Sequence, residues 1–236
     1  MLNKKILAII PARGGSKGVK KKNIKNLAGK PLINWTIDEA KQSKYIDRIV
    51  VSTEDLEICT ICNNFNTEVI VRPIELAQDD SPTIDSIIYT LDILKEQGYV
   101  PEYVILLQCT TPFRTVTNID EAIENFLVKE KEVDSLVSVK EEEYPPYWLK
   151  RIGVDGVMYD FIEYNKFKFT RRQDFPKLYK LNGAIYISKT EKIYINNSFE
   201  SNKSMAFIMD NRSSIDIDTE DDFKFAEYIA AEILRR

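Results

Sequence analysis

A short glycine-rich loop near the start of the chain carries an unusual concentration of positive charge. The first 37 residues contain nine Lys or Arg and no Asp or Glu, and all 37 acidic residues follow them. Residues 13–23 read Arg-Gly-Gly-Ser-Lys-Gly-Val-Lys-Lys-Lys-Asn, directly after an apolar run. Glycines let the backbone approach an anion closely, and amide and ammonium groups that converge can hold a polyphosphate. The loop predicts a phosphate site built on Arg13, Lys17 and Lys22; the alternative is a solvated basic turn.

The glycine spacing separates this loop from two common phosphate-binding motifs. The Walker A pattern G-x-x-x-x-G-K-[ST] cannot be fitted to it. Gly14, Gly15 and Gly18 also fail to give the dinucleotide-binding pattern G-x-G-x-x-G. The loop therefore indicates phosphate binding without identifying a family by itself.

Two carboxylates near the end of the chain have the spacing of a metal site. Asp216 and Asp218 are two residues apart, so on an extended segment both point to one side, with their Cα atoms about 6–7 Å apart. Mg²⁺ is commonly held by one or two carboxylates together with substrate phosphates. The alternative is that these acids belong to the start of a helix, because Thr219 and Asp222 form a capping box. That alternative leaves Asp216 unexplained, so the spacing predicts a Mg²⁺ site.

A third candidate follows the most apolar strand of the chain. Residues 103–108 read Tyr-Val-Ile-Leu-Leu-Gln, and polar groups come next at Gln108, Thr110 and Thr111. Such a strand end is suited to form a shelf for a substrate. It could equally be an ordinary turn around Thr111-Pro112.

Composition excludes several kinds of chemistry. The chain has no histidine, so Ser-His-Asp and Cys-His sites are impossible. Cys59 and Cys62 have C-x-x-C spacing, but the third cysteine, Cys109, is distant, and a structural zinc site is not expected. We interpret Cys59 and Cys62 as small apolar residues on a helix rather than as a redox pair. Catalysis must then use carboxylates, lysines, arginines, polar groups or a metal bound by oxygen.

The charge and hydropathy pattern also limits location and partners. No run of about 18 apolar residues occurs, so no membrane span is expected. The apolar run at 6–10 is too short for the core of a secretory signal, which predicts a cytoplasmic protein. The net charge is −4, and no basic stripe extends beyond the loop, which argues against a nucleic-acid partner. A non-enzymatic polyanion-binding protein is the remote alternative.

Strands and helices alternate along most of the chain. The predicted strands are 5–12, 48–53, 68–71, 103–108, 134–139, 183–187 and 205–209. The predicted helices are 31–41, one capped by 52–55 and ending near 63, 83–96, 118–129 and 219–234. This alternation is typical of a single α/β domain, residues 1–236, with a mainly parallel sheet. Ligands bind at the carboxyl ends of such strands, where loops 13–23, 52–55 and 108–114 would meet.

Residues 141–181 interrupt this pattern. They are charged, aromatic and punctuated by proline, as in Tyr144-Pro145-Pro146-Tyr147-Trp148 and Phe167-Lys168-Phe169. Their content of bulky apolar residues is too high for a disordered linker. We interpret the segment as an arm, of hairpin type, whose aromatic face packs on a second subunit. The alternative is a subdomain folded back on its own chain.

Taken in order, these segments resemble the CMP-sialic acid synthetase (acylneuraminate cytidylyltransferase) family. The similarity runs the full length of the chain. The matching motifs are Pro11-Ala12-Arg13-Gly14-Gly15-Ser16-Lys17-Gly18, Lys22-Asn23, Gly29-Lys30-Pro31-Leu32-Ile33, Val51-Ser52-Thr53, Arg72-Pro73, Leu107-Gln108 with Thr110-Thr111-Pro112, Arg171-Arg172-Gln173, Asn182-Gly183-Ala184-Ile185-Tyr186 and Asp216-Ile217-Asp218-Thr219. The resemblance implies a Rossmann-like α/β fold, a homodimer formed through an exchanged arm at 141–181, and transfer of CMP from CTP to a nine-carbon 2-keto-3-deoxy acid.

The resemblance also implies roles for individual residues. Those assigned to CTP are Arg13, Gly14, Gly15, Ser16, Lys17, Lys22, Asn23, Arg72 and Thr83. Those assigned to the acceptor sugar are Gln108, Thr110, Thr111, Arg172 and Gln173, the last two reaching the site of the partner subunit. Asp216 and Asp218 would hold Mg²⁺, and the residues closest to the chemistry would be Arg13, Lys22 and Asp218.

Two departures from the family pattern concern the acceptor. Cys109 stands where the family often has proline, and Asn196-Asn197-Ser198-Phe199 lies where some sialic acid enzymes have adjacent aromatic residues. N-acetylneuraminic, legionaminic and related acids therefore all remain open as acceptors. The alternative within this fold is a CMP-Kdo-type or other sugar nucleotidyltransferase.

Overall fold

A computed structural model of the chain describes residues 4–165 and 171–235. Its strands are β1 Ile6–Pro11, β2 Asn26–Leu27, β3 Lys30–Pro31, β4 Arg48–Thr53, β5 Glu68–Val71, β6 Tyr103–Leu106, β7 Ser135–Glu141, β8 Lys150–Ile152, β9 Met158–Asp160, β10 Tyr179–Lys189 and β11 Ser204–Ile208. Its α-helices are α1 Leu32–Gln42, α2 Leu56–Asn64, α3 Thr83–Glu96, α4 Val116–Val128, α5 Thr190–Asn196 and α6 Glu220–Leu234. Within the described ranges, no helix combines the length and the apolar character needed to cross a bilayer.

Seven strands form the central sheet, in the order β11-β7-β10-β6-β1-β4-β5. Neighbouring pairs are parallel except where β10 lies between β6 and β7, because β10 is antiparallel to both. The predicted mainly parallel sheet flanked by helices is confirmed. The position of β10 could not be predicted from periodicity, because an inserted antiparallel strand has the same apolar pattern as a parallel one.

The apolar run of β1 is explained by burial on both faces of the sheet. Ile6, Ala8 and Ile10 pack into one core with residues of α1, α2 and α4, such as Ile37, Ile58 and Phe126. The intervening residues Leu7 and Ile9 pack into a second core with residues of α3 and α5, such as Leu91 and Ile193. Side chains of a strand alternate between faces, so a strand covered on both sides is apolar throughout.

A third core joins the basic loop to the end of the chain. Val19 of the loop is fully buried with Ile217 and with Phe223 of α6. The N-terminal loop and the segment before α6 therefore form one packed unit, although they are about 200 residues apart in sequence.

Several predicted boundaries change in detail. Helix α1 begins at Leu32, after Pro31. Helix α4 begins at Val116, two residues before the predicted 118, because Thr115 is its N-cap. Strand β10 begins at Tyr179, four residues before the predicted 183, because it continues its pairing with β7. Cys59 and Cys62 lie on α2 as predicted. Cys62 is buried, and burial raises the pKa of its thiol to about 12, as expected of an unreactive core cysteine.

The segment predicted to be an arm leaves the sheet after β7 and returns at β10. Its described part contains the antiparallel hairpin β8–β9, which agrees with the predicted hairpin character. Phe167-Lys168-Phe169 lies outside the described residues.

Candidate active site

A cavity of about 520 Å³ opens at the carboxyl ends of β1, β5 and β6. The structure brings eleven of the predicted site residues to its wall: Arg13, Ser16, Lys17, Lys22, Asn23, Arg72, Thr83, Gln108, Thr110, Asp216 and Asp218. Gly14, Gly15 and Thr111 belong to the same loops but do not line this cavity, and Arg172 and Gln173 lie on the arm. The cavity therefore combines basic, acidic and neutral polar groups from distant parts of the sequence.

The basic loop is shaped by contacts of its own backbone. Asn23 is buried, and its Nδ2 donates to the carbonyl oxygen of Arg13 at 2.9 Å, which joins the two ends of the loop. A Cβ atom on Gly18 would lie 1.9 Å from the carbonyl oxygen of Asp218, so only glycine permits this approach. Gly18, which the sequence predicted to serve a phosphate site, thus also permits contact with the acidic segment.

A buried ion pair supports the loop from behind. Arg72 Nε and Nη2 donate to Glu54 Oε2 at 3.1 and 3.0 Å, and the amide of Gly14 donates to Glu54 Oε1 at 2.7 Å. The side chains of Arg72 and Glu54 are only 4% and 8% exposed. The sequence predicted that residues 52–55, which include Glu54, cap a helix, but α2 is capped by Asp55 alone, whose carboxylate accepts from two backbone amides. The position of Glu54 at a strand end was the available signal of its site role.

A second carboxylate, that of Asp79, lines the cavity and pairs with the basic groups of the loop. Asp79 lies 3.1 Å from Arg13 Nη1 and 2.6 Å from Lys17 Nζ. These cations hold the pKa of the Asp79 carboxyl below its ordinary value, with the Lys17 hydrogen bond as the largest cause. Both partners are largely exposed, so an incoming phosphate can compete with Asp79 for them.

The two carboxylates predicted to bind metal both face the cavity. Lys22 Nζ donates to the carbonyl oxygen of Ile217 at 2.7 Å and lies 3.2 Å from Asp218 Oδ1. The pKa of Asp216 is raised, first by desolvation in the cavity and then by the like charge of Asp218, against a hydrogen bond from Thr110. Two carboxylates that repel each other on the same wall of a cavity gain from a shared cation.

This donor set fits Mg²⁺ only in company with other oxygen ligands. Among residues 4–165 and 171–235, no group of three or more His, Cys, Asp or Glu side chains could enclose a metal ion. Two hard carboxylate oxygens are the protein share expected where substrate phosphates and water complete the coordination of Mg²⁺. Asp216 and Asp218 are thus suited to a cation that arrives with a polyphosphate.

The predicted shelf after β6 is a tight turn held from both sides. The carbonyl oxygen of Thr110 accepts from the amide of Ile217 at 2.9 Å. The buried Thr111 hydroxyl donates to the carbonyl oxygen of Asn182 at 3.2 Å, which directs it away from the cavity. Gly183 makes room for this turn, because a Cβ there would lie 3.1 Å from Gln108 Oε1, and its φ is +71°. Gln108 and Thr110 therefore remain as the groups that the shelf presents.

A smaller recess of about 260 Å³ continues from the cavity. Thr83 and Gln108 line both spaces. The recess adds apolar and polar groups, among them Tyr186, Phe199 and Glu200. The charged main cavity and the recess with both apolar and polar groups suit a ligand that has one highly charged part and one part with both apolar and polar groups.

The arm residues lie apart from the cavity of their own chain. Arg172 and Gln173 line a separate depression with Glu143, which is 3.6 Å from Arg172 Nη2. Several large apolar side chains of the arm are exposed, including Ile152, Met158 and Phe161.

Comparison with known proteins places the chain in a family. The family model described as "Cytidylyltransferase" matches residues 7–230. An N-acylneuraminate cytidylyltransferase of Escherichia coli O18:K1:H7 is 35% identical over 94% of this chain and 51% of its own length. A CMP-N,N'-diacetyllegionaminic acid synthase of Legionella pneumophila is 36% identical over 94% of this chain and 95% of its own length. The chain thus spans about half the length of the first of these relatives and nearly all of the second.

Structural comparison agrees with the sequence comparison at the level of the fold. The structure of CMP:2-keto-3-deoxy-manno-octonic acid synthetase complexed with CTP superposes with a TM-score of 0.70 at 16% identity, covering 97% of this chain and 99% of that one. The family model matches nearly the whole chain, and the Legionella pneumophila relative is 36% identical over 95% of its own length. The chain belongs to the cytidylyltransferase family.

Proposed function

We propose that the chain transfers a cytidylyl group from CTP to the anomeric hydroxyl of a nine-carbon 2-keto-3-deoxy acid. The observation that carries this proposal is the cavity in which Arg13, Lys17 and Lys22 face Asp216 and Asp218. The relatives named above support a sugar acid as acceptor, because their names state N-acylneuraminate and diacetyllegionaminic acid.

In the proposed reaction the anomeric oxygen attacks the α-phosphorus of CTP in line. A new oxygen–phosphorus bond forms, the bond from the α-phosphorus to the bridging oxygen breaks, pyrophosphate leaves, and the hydroxyl proton passes to solvent. Such transfer depends on positioning and charge neutralisation rather than on covalent help, so a chain without histidine can perform it. Arg13, Lys17 and Lys22 would stabilise the leaving pyrophosphate.

The remaining groups divide between the two substrates and the metal. Arg72 and Asn23 would bind the nucleotide near Thr83, and Gln108 with Thr110 would bind the acceptor at the recess. Asp216 and Asp218 would hold Mg²⁺, which when bound neutralises phosphate charge and can acidify the attacking hydroxyl.

We further propose a homodimer in which residues 141–181 of one subunit reach the cavity of the other. The exposed apolar residues of the arm and the separation of Arg172 from its own cavity support this arrangement. Mixing the variants Lys22→Ala and Arg172→Ala tests it, because a shared site regains one intact centre in mixed dimers. Activity no higher than the sum of the two variants would contradict it.

A cytoplasmic location stays a prediction.

The function is tested by pyrophosphate release with Mg²⁺ and CTP against a panel of acceptors. The panel contains N-acetylneuraminic, legionaminic, pseudaminic, deaminated neuraminic and Kdo acids. Turnover with a nine-carbon acid is the expected result. Turnover with Kdo alone would favour the CMP-Kdo-type alternative, and CTP binding without turnover on any acceptor would contradict the proposal.

A further inference from the structure

Arg114 is a buried cation whose hydrogen bonds, in the described part of the chain, all go to neutral oxygen atoms. It is 1% exposed and is among the largest fully buried side chains of the described residues. Within residues 4–165 and 171–235 no Asp or Glu forms a salt bridge with it, and its Nε atom has no hydrogen-bond partner there. Burying a charge without a counter-ion is costly, so a reason for its retention must be sought in its contacts.

Burial lowers the pKa of Arg114 to about 10, while Cys109 and Glu39 act in the opposite direction. The guanidinium is therefore still charged at neutral pH. The charge of Glu39 contributes to its stabilisation, and its direct hydrogen bonds go to neutral oxygen atoms, which accept from its two terminal nitrogens.

Those oxygen atoms belong to the turn below the shelf and to α1. Arg114 Nη2 donates to the carbonyl oxygen of Gln108 and, at 2.7 Å, to that of Thr111. Arg114 Nη1 donates to Thr36 Oγ1 at 3.0 Å. One planar fork thus closes the turn 108–111 and fixes it to a helix, a geometry that the single nitrogen of lysine cannot reproduce.

The turn that Arg114 closes carries groups of the candidate site. Gln108 lines both the main cavity and the recess. Thr110 hydrogen-bonds the carboxylate of Asp216, and its carbonyl oxygen accepts from the amide of Ile217. The basic loop and Arg72, in contrast, come from other strand ends, and within residues 4–165 and 171–235 no hydrogen bond joins them to Arg114.

We propose that Arg114 is a positioning residue that holds the turn 108–111 in the conformation needed for acceptor binding. It does so without touching either substrate, because it lies beneath the turn. This inference rests on the proposed function, since its kinetic readout requires a transferase with two substrates.

The central test compares Arg114→Lys with the wild-type enzyme. The acceptor KM should rise at least about tenfold or kcat should fall by a similar factor, because lysine leaves one carbonyl of the turn unpaired. The Kd for CTP, measured by calorimetry without acceptor, should change less than about twofold. A general loss of stability would affect both substrates, so a change in the acceptor kinetics with an unchanged Kd for CTP would distinguish the two explanations.

Two further variants keep the test decisive. Phe126→Leu, in the core between the sheet and α4, is the control for lowered stability and should leave both substrates unaffected. Thr36→Val removes the hydroxyl acceptor of Arg114 Nη1 and should give a smaller change of the same kind, which tests the idea if Arg114→Lys fails to fold.

Two results would overturn the inference: Arg114→Lys with the kinetics of Phe126→Leu, or an equal loss of CTP and acceptor binding. A wild-type enzyme without transferase activity would instead refute the proposed function.

Discussion

Glu54 and Arg72 are joined by a buried ion pair that also engages the first glycine of the basic loop. One carboxylate oxygen accepts from Arg72 at 3.0 and 3.1 Å, and the other accepts from the amide of Gly14 at 2.7 Å. The loop after β4 therefore connects the loops after β1 and β5, which both reach the candidate nucleotide site.

We expect Glu54→Gln to lower the free energy of unfolding by about 3 kcal/mol, because it leaves the buried charge of Arg72 without a counter-ion. Urea unfolding of Glu54→Gln, Arg72→Met and the double variant would measure their coupling, expected to be about 1 kcal/mol or more. Glu57→Gln, which removes the exposed partner of Lys21 in the first turn of α2, is the matched control and should change stability little. A Glu54→Gln variant as stable as the control would show that the buried pair is not important.

The close approach of Gly18 to Asp218 gives a second prediction. In Gly18→Ala the new Cβ would lie 1.9 Å from a backbone oxygen, whereas in Gly15→Ala it would meet nothing within 4 Å. We expect Gly18→Ala to lower the free energy of unfolding by about 1–3 kcal/mol through overpacking and Gly15→Ala to leave it nearly unchanged. Thermal unfolding compares the two, and equal midpoints would argue against the close contact.

Lys22 and Lys20 allow a test of position within one loop. Lys22 lines the cavity beside Asp218, whereas Lys20 is exposed and does not line it. We expect Lys22→Ala to reduce kcat/KM for CTP at least about tenfold, equivalent to about 1.4 kcal/mol in the transition state. Lys20→Ala should stay within about twofold of wild type. Steady-state kinetics at two ionic strengths would separate a local effect from loss of general positive charge. An unchanged kcat/KM for CTP in Lys22→Ala would contradict the assignment of Lys22 to the CTP site.

Replacing Asp216 by Asn should have opposite effects on stability, which should rise, and on activity, which should fall. Its pKa is raised in the folded protein, so its ionised form is disfavoured there relative to the unfolded chain. This penalty is present above the folded pKa and disappears as the pH falls through it. Asp216→Asn should therefore raise Tm at neutral pH, and the difference from wild type should shrink in acid, as a pH series of thermal melts would show.

The same substitution should lower transferase activity, because it removes one of two carboxylates proposed to hold Mg²⁺. Asp218→Asn should raise the Mg²⁺ concentration needed for half-maximal activity, which a metal titration after EDTA treatment would measure. A Mg²⁺ dependence like that of wild type in both variants would exclude these residues as ligands.

Local sequence signals predicted most of the fold because they act over short distances. The continuous apolar run of β1 and the capping box of Thr219 with Asp222 each specify an element within a few residues, and both are present. The antiparallel insertion of β10 is decided by pairing with β6 and β7, which are distant in sequence, and its own residues do not encode its direction.

The same reasoning applies to the site. Arg13, Lys22 and Asp216 could be identified because charge and spacing are visible in a linear sequence. Glu54 and Arg114 were missed because their roles come from burial, which depends on the whole structure. The only local sign of these roles was the position of each charged residue in a loop that follows a buried strand.

The position of β10 beside β7 has a consequence for how this protein can diversify. The chain leaves and re-enters the sheet through two adjacent paired strands, which are spaced about 5 Å apart. A segment between such anchors can be lengthened at little entropic cost, roughly 0.6 kcal/mol for each doubling of its length. Insertions and exchanges between 141 and 179 can thus be tolerated while the sheet and the basic loop stay unchanged, so this segment can vary in length and sequence without altering the core of the fold.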